Sequence, residues 1–224
     1  MTSRPLAVVL LSGGMDSCVA AALTRATHDL ALLHLSYGQR TEERERRAFR
    51  DLAAHWKVER TLESRLDHLK AVGGSALTDA WRDAVHARRA GSGIPDTYVP
   101  FRNTHLLALA ASWGEVLGAR RLVIGAVQED GSGYPDCREE YFEAFARVLR
   151  LGTRPETDLE VATPLLHLGK GDIVREGLRA GAPLHLTWSC YTGAERACGR
   201  CESCRLRLKG FAEAGVPDPL PYDR

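Results

Sequence analysis

Apolar residues are distributed along this chain in two alternating patterns. Mainly apolar runs of strand length occupy residues 6–11, 30–35 (interrupted by His34) and 121–126 (opened by Arg121). Between them lie longer segments whose apolar positions recur every three to four residues. Near-continuous, partly β-branched apolar runs predict strands covered on both faces. The helical spacing predicts helices over 16–26 (Val19, Ala20, Leu23, Ala26), 41–56 (Ala48, Leu52, Trp56), 106–117, 139–151 (Phe142, Phe145, Ala146, Leu149) and 170–180, the last ended by Gly181. A short final strand is predicted at 160–165. Residues 73–97 are rich in Gly, Ser, Ala and Asp and predict a mobile loop or a poorly ordered short helix. Strands alternating with helices predict an α/β fold: a parallel twisted sheet with helices on both faces and right-handed crossovers. Beyond Pro183 the composition changes. The expected division is an α/β domain over residues 1–183 and a small C-terminal module over 184–224, packed on it.

Composition narrows this only a little. The chain has 224 residues, 44% hydrophobic and 26% charged, which suits one α/β domain with a full core plus an appendage. A formal net charge of +1 gives no charge-driven reason to expect a nucleic-acid or membrane partner. The run at 6–11 is too short for a signal-peptide core or a bilayer span, so a cytoplasmic location is expected. In that compartment clustered thiols bind metal more often than they pair as disulfides.

Two clusters carry chemistry. The first is Leu11-Ser12-Gly13-Gly14-Met15-Asp16-Ser17-Cys18, set between the first strand and the first helix. A glycine-rich turn there aims backbone N–H groups and the positive end of a helix at an anion. Neither G-x-x-x-x-G-K-[ST] nor G-x-G-x-x-G occurs, which excludes the two commonest phosphate loops. The second is C-x7-C-x2-C-x2-C, formed by Cys190, Cys198, Cys201 and Cys204. It predicts a closed tetrahedral thiolate site for a structural Zn²⁺ ion. An iron–sulfur cluster is the rival occupant. Arg200, Arg205, Arg207 and Lys209 are expected to offset the thiolate charge or simply to be solvated. Cys18 and Cys137 stand apart from the cluster and read as packing residues.

The loop Ser12-Gly13-Gly14-Met15-Asp16-Ser17 resembles the pyrophosphate loop of the N-type ATP pyrophosphatases. Further segments sharpen the likeness: Tyr37-Gly38-Gln39-Arg40, Val99-Pro100-Phe101-Arg102-Asn103-Thr104, Glu129-Asp130 with Ser132-Gly133-Tyr134-Pro135-Asp136-Cys137-Arg138, Thr187-Trp188-Ser189-Cys190-Tyr191, and the cysteine array itself. Together they resemble the 7-cyano-7-deazaguanine (preQ0) synthase family of that superfamily. The resemblance implies an adenine nucleotide alpha hydrolase-like fold and an ATP-dependent ligase. The substrates would be 7-carboxy-7-deazaguanine, ammonia and ATP with Mg²⁺, and an adenylated intermediate would lead to the nitrile. An enzyme that stops at the amide, or that joins a deazaguanine acid to another amine, is the alternative. Under this reading residues 11–18 hold ATP, and Asp16, Arg102 and Lys170 are the catalytic candidates. Asp130 or Asp136 reads the base, Tyr134 or Tyr191 stacks on it, and Arg138 meets its carboxylate or a neighbouring acid. A homodimer is implied, with no direct nucleic-acid contact and free ammonia as the simplest nitrogen source. One departure stands out. Phe101 occupies a place where glycine is expected, with His105 and Val127 as milder deviations.

Overall fold

The computed structural model describes residues 4–84, 93–128, 133–193 and 195–223. A five-stranded, wholly parallel sheet forms its centre. In chain order the elements are β1 (Leu6–Leu10), α1 (Met15–Arg25), β2 (Asp29–Ser36), α2 (Glu42–Trp56), β3 (Thr61–Arg65), α3 (Asp67–Val72), α4 (Arg102–Leu117), β4 (Arg121–Ile124), α5 (Glu139–Gly152), β5 (Glu160–Ala162), α6 (Lys170–Arg179) and α7 (Glu202–Glu213). The spatial order of strands is β3-β2-β1-β4-β5.

Side chains alternate across a strand, so each run feeds two cores. Ala7, Val9, Leu30, Leu32 and Val123 meet α1, α2 and α6 on one face. Val8, Leu10, Ala31, Leu33, Leu122 and Ile124 meet α4 and α5 on the other. That double burial is why β1, β2 and β4 read as mainly apolar runs. The expected α/β sheet with helices on both faces is what the chain forms.

Three expectations need correction. β3 lacks an apolar run. It is an edge strand paired only with β2, and its Glu63 and Arg65 are the charged residues with which edges are protected. α4 begins at Arg102, not at 106, because Phe101 turns the chain through a left-handed conformation (φ 59°, ψ 21°) just before it. A left-handed turn is also the backbone setting in which glycine is the default residue, so Phe101 carries strain there. The expected strand over 121–126 ends at Ile124, which frees Gly125 to approach α1.

The described parts of residues 73–97 are irregular, yet tied down. Ser75, Ala76 and Thr97 are fully buried. Arg40 donates to the carbonyls of Ala76 (3.1 Å) and Asp79 (3.0 Å), and Ala76 N–H donates to Asp96 O. Residues 85–92 lie outside the described part.

The C-terminal segment does not hang from the sheet domain. α7 lies along α6, and its Phe211 enters the core beside Ile173 and Val174. Among the described residues no helix is long and apolar enough to cross a membrane.

Candidate active site and metal centre

β1 is central: the chain passes from it through α1 to β2 on one side, and comes back from β3 through α4 to β4 on the other. The carboxyl ends of β1 and β4 therefore open a crevice at the point where the winding reverses. The loop between β1 and α1 sits in it. Gly13 has φ +91°, and a Cβ there would lie 2.6 Å from the Glu45 backbone oxygen. From the other side a Cβ on Gly125 would come within 2.9 Å of the backbone of Asp16 and Ser17. Trp188 N–H donates to Gly13 O at 2.8 Å. Inside the turn, Gly14 N–H donates to Ser12 Oγ (3.2 Å) and Ser17 Oγ donates to Gly14 O (3.0 Å). α1 starts at Gly14 with no side-chain cap, which leaves its first N–H groups turned to the crevice. The loop is thus pinned by α2, β4 and the C-terminal segment into a preformed anion cradle.

A cavity of about 330 Å³ extends from this cradle. Leu11, Ser12, Gly14, Met15, Asp16 and Ser17 line its loop end, together with Lys170 from the first turn of α6. Lys170 Nζ lies 2.8 Å from Asp16 Oδ2, and the lysine is almost fully buried. Arg102 stands at the start of α4 and donates to Tyr37 Oη at 3.2 Å. All three residues expected as catalytic face one cavity.

Of the eight expected ATP-loop residues, Gly13 and Cys18 do not line it. Gly13 lies against the Glu45 carbonyl, and Cys18 is wholly buried in the core, where burial pushes its thiol up to about 12.

The expected substrate residues divide. Tyr134 and Tyr191 line the cavity. Tyr134 Oη is 2.7 Å from Thr97 Oγ1. Asp136 is buried outside the lining: its Oδ2 accepts Asn103 N–H at 2.9 Å, and its carbonyl accepts Asn103 Nδ2 at 2.8 Å. Its carboxylate therefore serves an open N–H in the first turn of α4. Arg138 is exposed at the start of α5, away from the cavity. Asp130 lies outside the described residues.

Sequence reasoning missed Gly125, Glu45 and the cavity side of the C-terminal segment. Trp188, Ser189, Glu202, Ser203, Leu206 and Arg207 line the cavity, so the cysteine module is one of its walls. The Glu45 carboxyl accepts hydrogen bonds from Gln39 Nε2 (3.0 Å) and Thr41 Oγ1 (2.8 Å). Burial pushes it up to about 7, against those two bonds and the charge of Arg102. The folded protein thus holds a proton on Glu45 that the unfolded chain releases near the usual carboxylate value. Stability should therefore fall as pH rises from about 4.5 to about 7 and level off above. Glu45→Gln should flatten that slope, which melting curves across this pH range will show.

In the C-terminal segment the sulfurs of Cys190, Cys198, Cys201 and Cys204 all lie within 4.8 Å of one another. Cys198 and Cys204 Sγ are 4.0 Å apart. A tetrahedral site with metal–sulfur bonds of ~2.3 Å needs sulfurs roughly 3.8 Å apart, so the cluster fits one ion with little adjustment. Cys190 Sγ accepts the N–H groups of Thr192, Gly193 and Cys198, and Cys198 Sγ accepts those of Arg200 and Cys201. Such bonds stabilise thiolates. All four cysteines are buried and together leave no open position, so a metal ion held by them would be structural.

Arg207 is not the countercharge to this cluster that its position in the sequence suggested. It is fully buried and bidentate with Asp218 (2.8 and 3.0 Å).

Known proteins match this sequence along nearly its whole length. The family model described as Queuosine biosynthesis protein QueC matches residues 6–215. A protein of Acidobacterium capsulatum named 7-cyano-7-deazaguanine synthase is 54% identical over 223 residues, covering 98% of this chain and 97% of its own. One of the same name from Chlorobium luteolum is 51% identical over 218 residues, covering 97% and 96%. Among solved structures, NMN synthetase from Francisella tularensis overlies 96% of this chain and 79% of its own at 16% identity and a TM-score of 0.47, too distant to carry an argument. The cradle, the cysteine cluster and the match over residues 6–215 meet in one conclusion: this chain belongs to the QueC family of queuosine biosynthesis proteins.

Proposed function

We propose that the chain is an ATP-dependent ligase that converts 7-carboxy-7-deazaguanine and ammonia to 7-cyano-7-deazaguanine. One observation carries this reading: the cradle at residues 12–17, closed by Lys170, forms one end of a cavity whose other walls carry Tyr37, Tyr134 and Tyr191. A polyanion fits the first end and a flat base the others.

In the first stage a substrate carboxylate oxygen attacks the α-phosphorus of ATP, and the bond to the bridging oxygen breaks. Pyrophosphate leaves into the cradle, where the Ser12 and Ser17 hydroxyls and the N–H groups at the start of α1 take up its charge. Ammonia then attacks the acyl carbon and AMP departs with one carboxylate oxygen. In the second stage the amide oxygen takes AMP from a second ATP. Loss of that AMP and of the nitrogen protons leaves the nitrile. The two oxygens of the acid thus depart on the two AMP molecules, so acid, ammonia and two ATP balance two AMP, two pyrophosphate and the nitrile. No covalent enzyme nucleophile is needed. That agrees with the Cys137 thiol, which burial pushes up to about 11 and which Asn103 Nδ2 contacts at 3.3 Å.

Lys170 and Arg102 supply positive charge at the phosphates, and Asp16 would orient Mg²⁺ with the nucleotide. Mg²⁺ would supply charge neutralisation on the phosphate oxygens. The four cysteines would hold Zn²⁺ as a closed structural ion. Tyr134 and Tyr191 stack on the base. The hydrogen bond that the Asp136 carboxylate accepts from the first turn of α4 favours a role in holding Asn103 and Arg102 in place over one in reading the base. The enzyme is cytoplasmic and uses free ammonia. The exposed Val116, Val148 and Leu151 on α4 and α5 support a homodimer.

Incubating the protein with 7-carboxy-7-deazaguanine, ATP, Mg²⁺ and ammonium should yield the nitrile mass and two AMP per product. An amide with one AMP, or ADP in place of AMP, overturns the assignment.

A further inference from the structure

Among the described residues three carboxylates line the cavity: Asp16, Glu45 and Glu202. Asp16 lies in the anion cradle and is paired with Lys170. Glu45 accepts two neutral hydrogen bonds at the foot of α2, beside the same loop. Glu202 is differently placed. It is the first residue of α7, half-buried in the wall contributed by the cysteine module. Its charge acts on both Tyr134 and Tyr191, two of the aromatic rings that line the cavity with it.

A guanine-type base presents two adjacent N–H donors, at the ring nitrogen and the exocyclic amine. A carboxylate is the side chain whose two oxygens match such a pair. Asp136 is buried outside the lining and is committed to the Asn103 N–H. Glu202 has the right chemistry and lies beside the right rings.

We propose that Glu202, carried on the cysteine module, reads the ring N–H and exocyclic amine of the deazaguanine base while Tyr134 and Tyr191 flank the ring. This deepens the ligase reading above and rests on it. Cys201 and Cys204 bracket Glu202 on the first turn of α7, so the metal cluster fixes the orientation of the reader. The module is therefore part of substrate recognition as well as of stability. The ordinary alternative is that Glu202 only favours the positive end of α7, as an acid in a first turn does.

The test compares 7-carboxy-7-deazaguanine with its analogue lacking the exocyclic amine, in wild type, Glu202→Gln and Glu202→Asp. Wild type should prefer the amine-bearing acid. Glu202→Gln should raise the KM for that acid by about 10- to 100-fold, leave the KM for ATP unchanged, and lose the preference. Glu202→Asp keeps the charge at the helix start but draws the carboxylate back by one methylene. It should keep the wild-type melting temperature and still weaken the preference, so it decides the matter if the Gln variant folds poorly. Wild-type discrimination in both variants overturns the proposal, as does equal wild-type turnover of the two acids. A wild-type protein that releases no AMP with either acid overturns the ligase reading, and this assignment with it.

Discussion

Replacing Lys170 with Met is expected to lower pyrophosphate release by roughly 10²- to 10³-fold while the protein stays folded. The lysine opens α6, and its backbone and Cβ are pressed against Gly210 of α7, where a Cβ would lie 2.9 Å from the Lys170 carbonyl oxygen and from its Cβ. That contact anchors the side chain at its root, and the 2.8 Å bond to Asp16 anchors it at its tip. A cation held at both ends costs little reorganisation when negative charge builds on the phosphates, which is the condition for strong transition-state stabilisation. Methionine keeps the stem and its packing but removes the charge. The effect should therefore fall on turnover with only a modest change in melting temperature. Arginine restores charge without the shape, since its planar fork cannot enter a space fitted to a single ammonium, and should recover only part of the rate. Turnover of Lys170→Met within threefold of wild type would remove the lysine from the reaction.

Much of this arrangement was legible because different levels of the chain agree. β1, the glycine loop and α1 declare themselves together: an apolar run, a turn that requires glycine, then helical spacing. The cysteine spacing likewise announces a cluster able to hold a metal ion before any fold is known. What stayed hidden depends on tertiary contacts. Gly125 looks like any glycine after a strand, and only the 2.9 Å approach to the α1 backbone gives it a role. β3 has period-two alternation, but with a single apolar residue, Leu62, it carries little signal. Asp136 sits in a turn-forming stretch, and nothing in the sequence reveals that its carboxylate meets Asn103, 33 residues away. The expectation of glycine at 101 did carry structural information, since Phe101 adopts the left-handed conformation that glycine accepts without strain. Glu202 and Trp188 reach the cavity only because the module folds back over the sheet, a return that local spacing cannot encode.

The junction that brings the module back is where the largest loss of stability is expected. Arg207 and Asp218 have side chains only 2% and 3% exposed. The guanidinium also donates to Thr187 Oγ1 (2.7 Å) and Leu184 O (3.1 Å), and the carboxylate also accepts from Tyr222 Oη (2.6 Å) and Leu220 N–H (3.1 Å). One ion pair thus ties α7 to the segment after α6 and to the last residues of the described chain. A buried pair of this kind adds little over an apolar pair of equal volume, but removing one partner leaves the other charged and unpaired. Asp218→Ala should therefore cost about 3–5 kcal/mol. In a chain of this length that is a fall in melting temperature of roughly 10 °C, readable by calorimetry. The double variant Arg207→Met, Asp218→Leu should recover much of the loss, because it deletes both charges together. If Asp218→Ala melts within a degree of wild type, the pair does not hold the module. If the double variant melts no higher than the single one, the loss comes from packing and not from a stranded guanidinium.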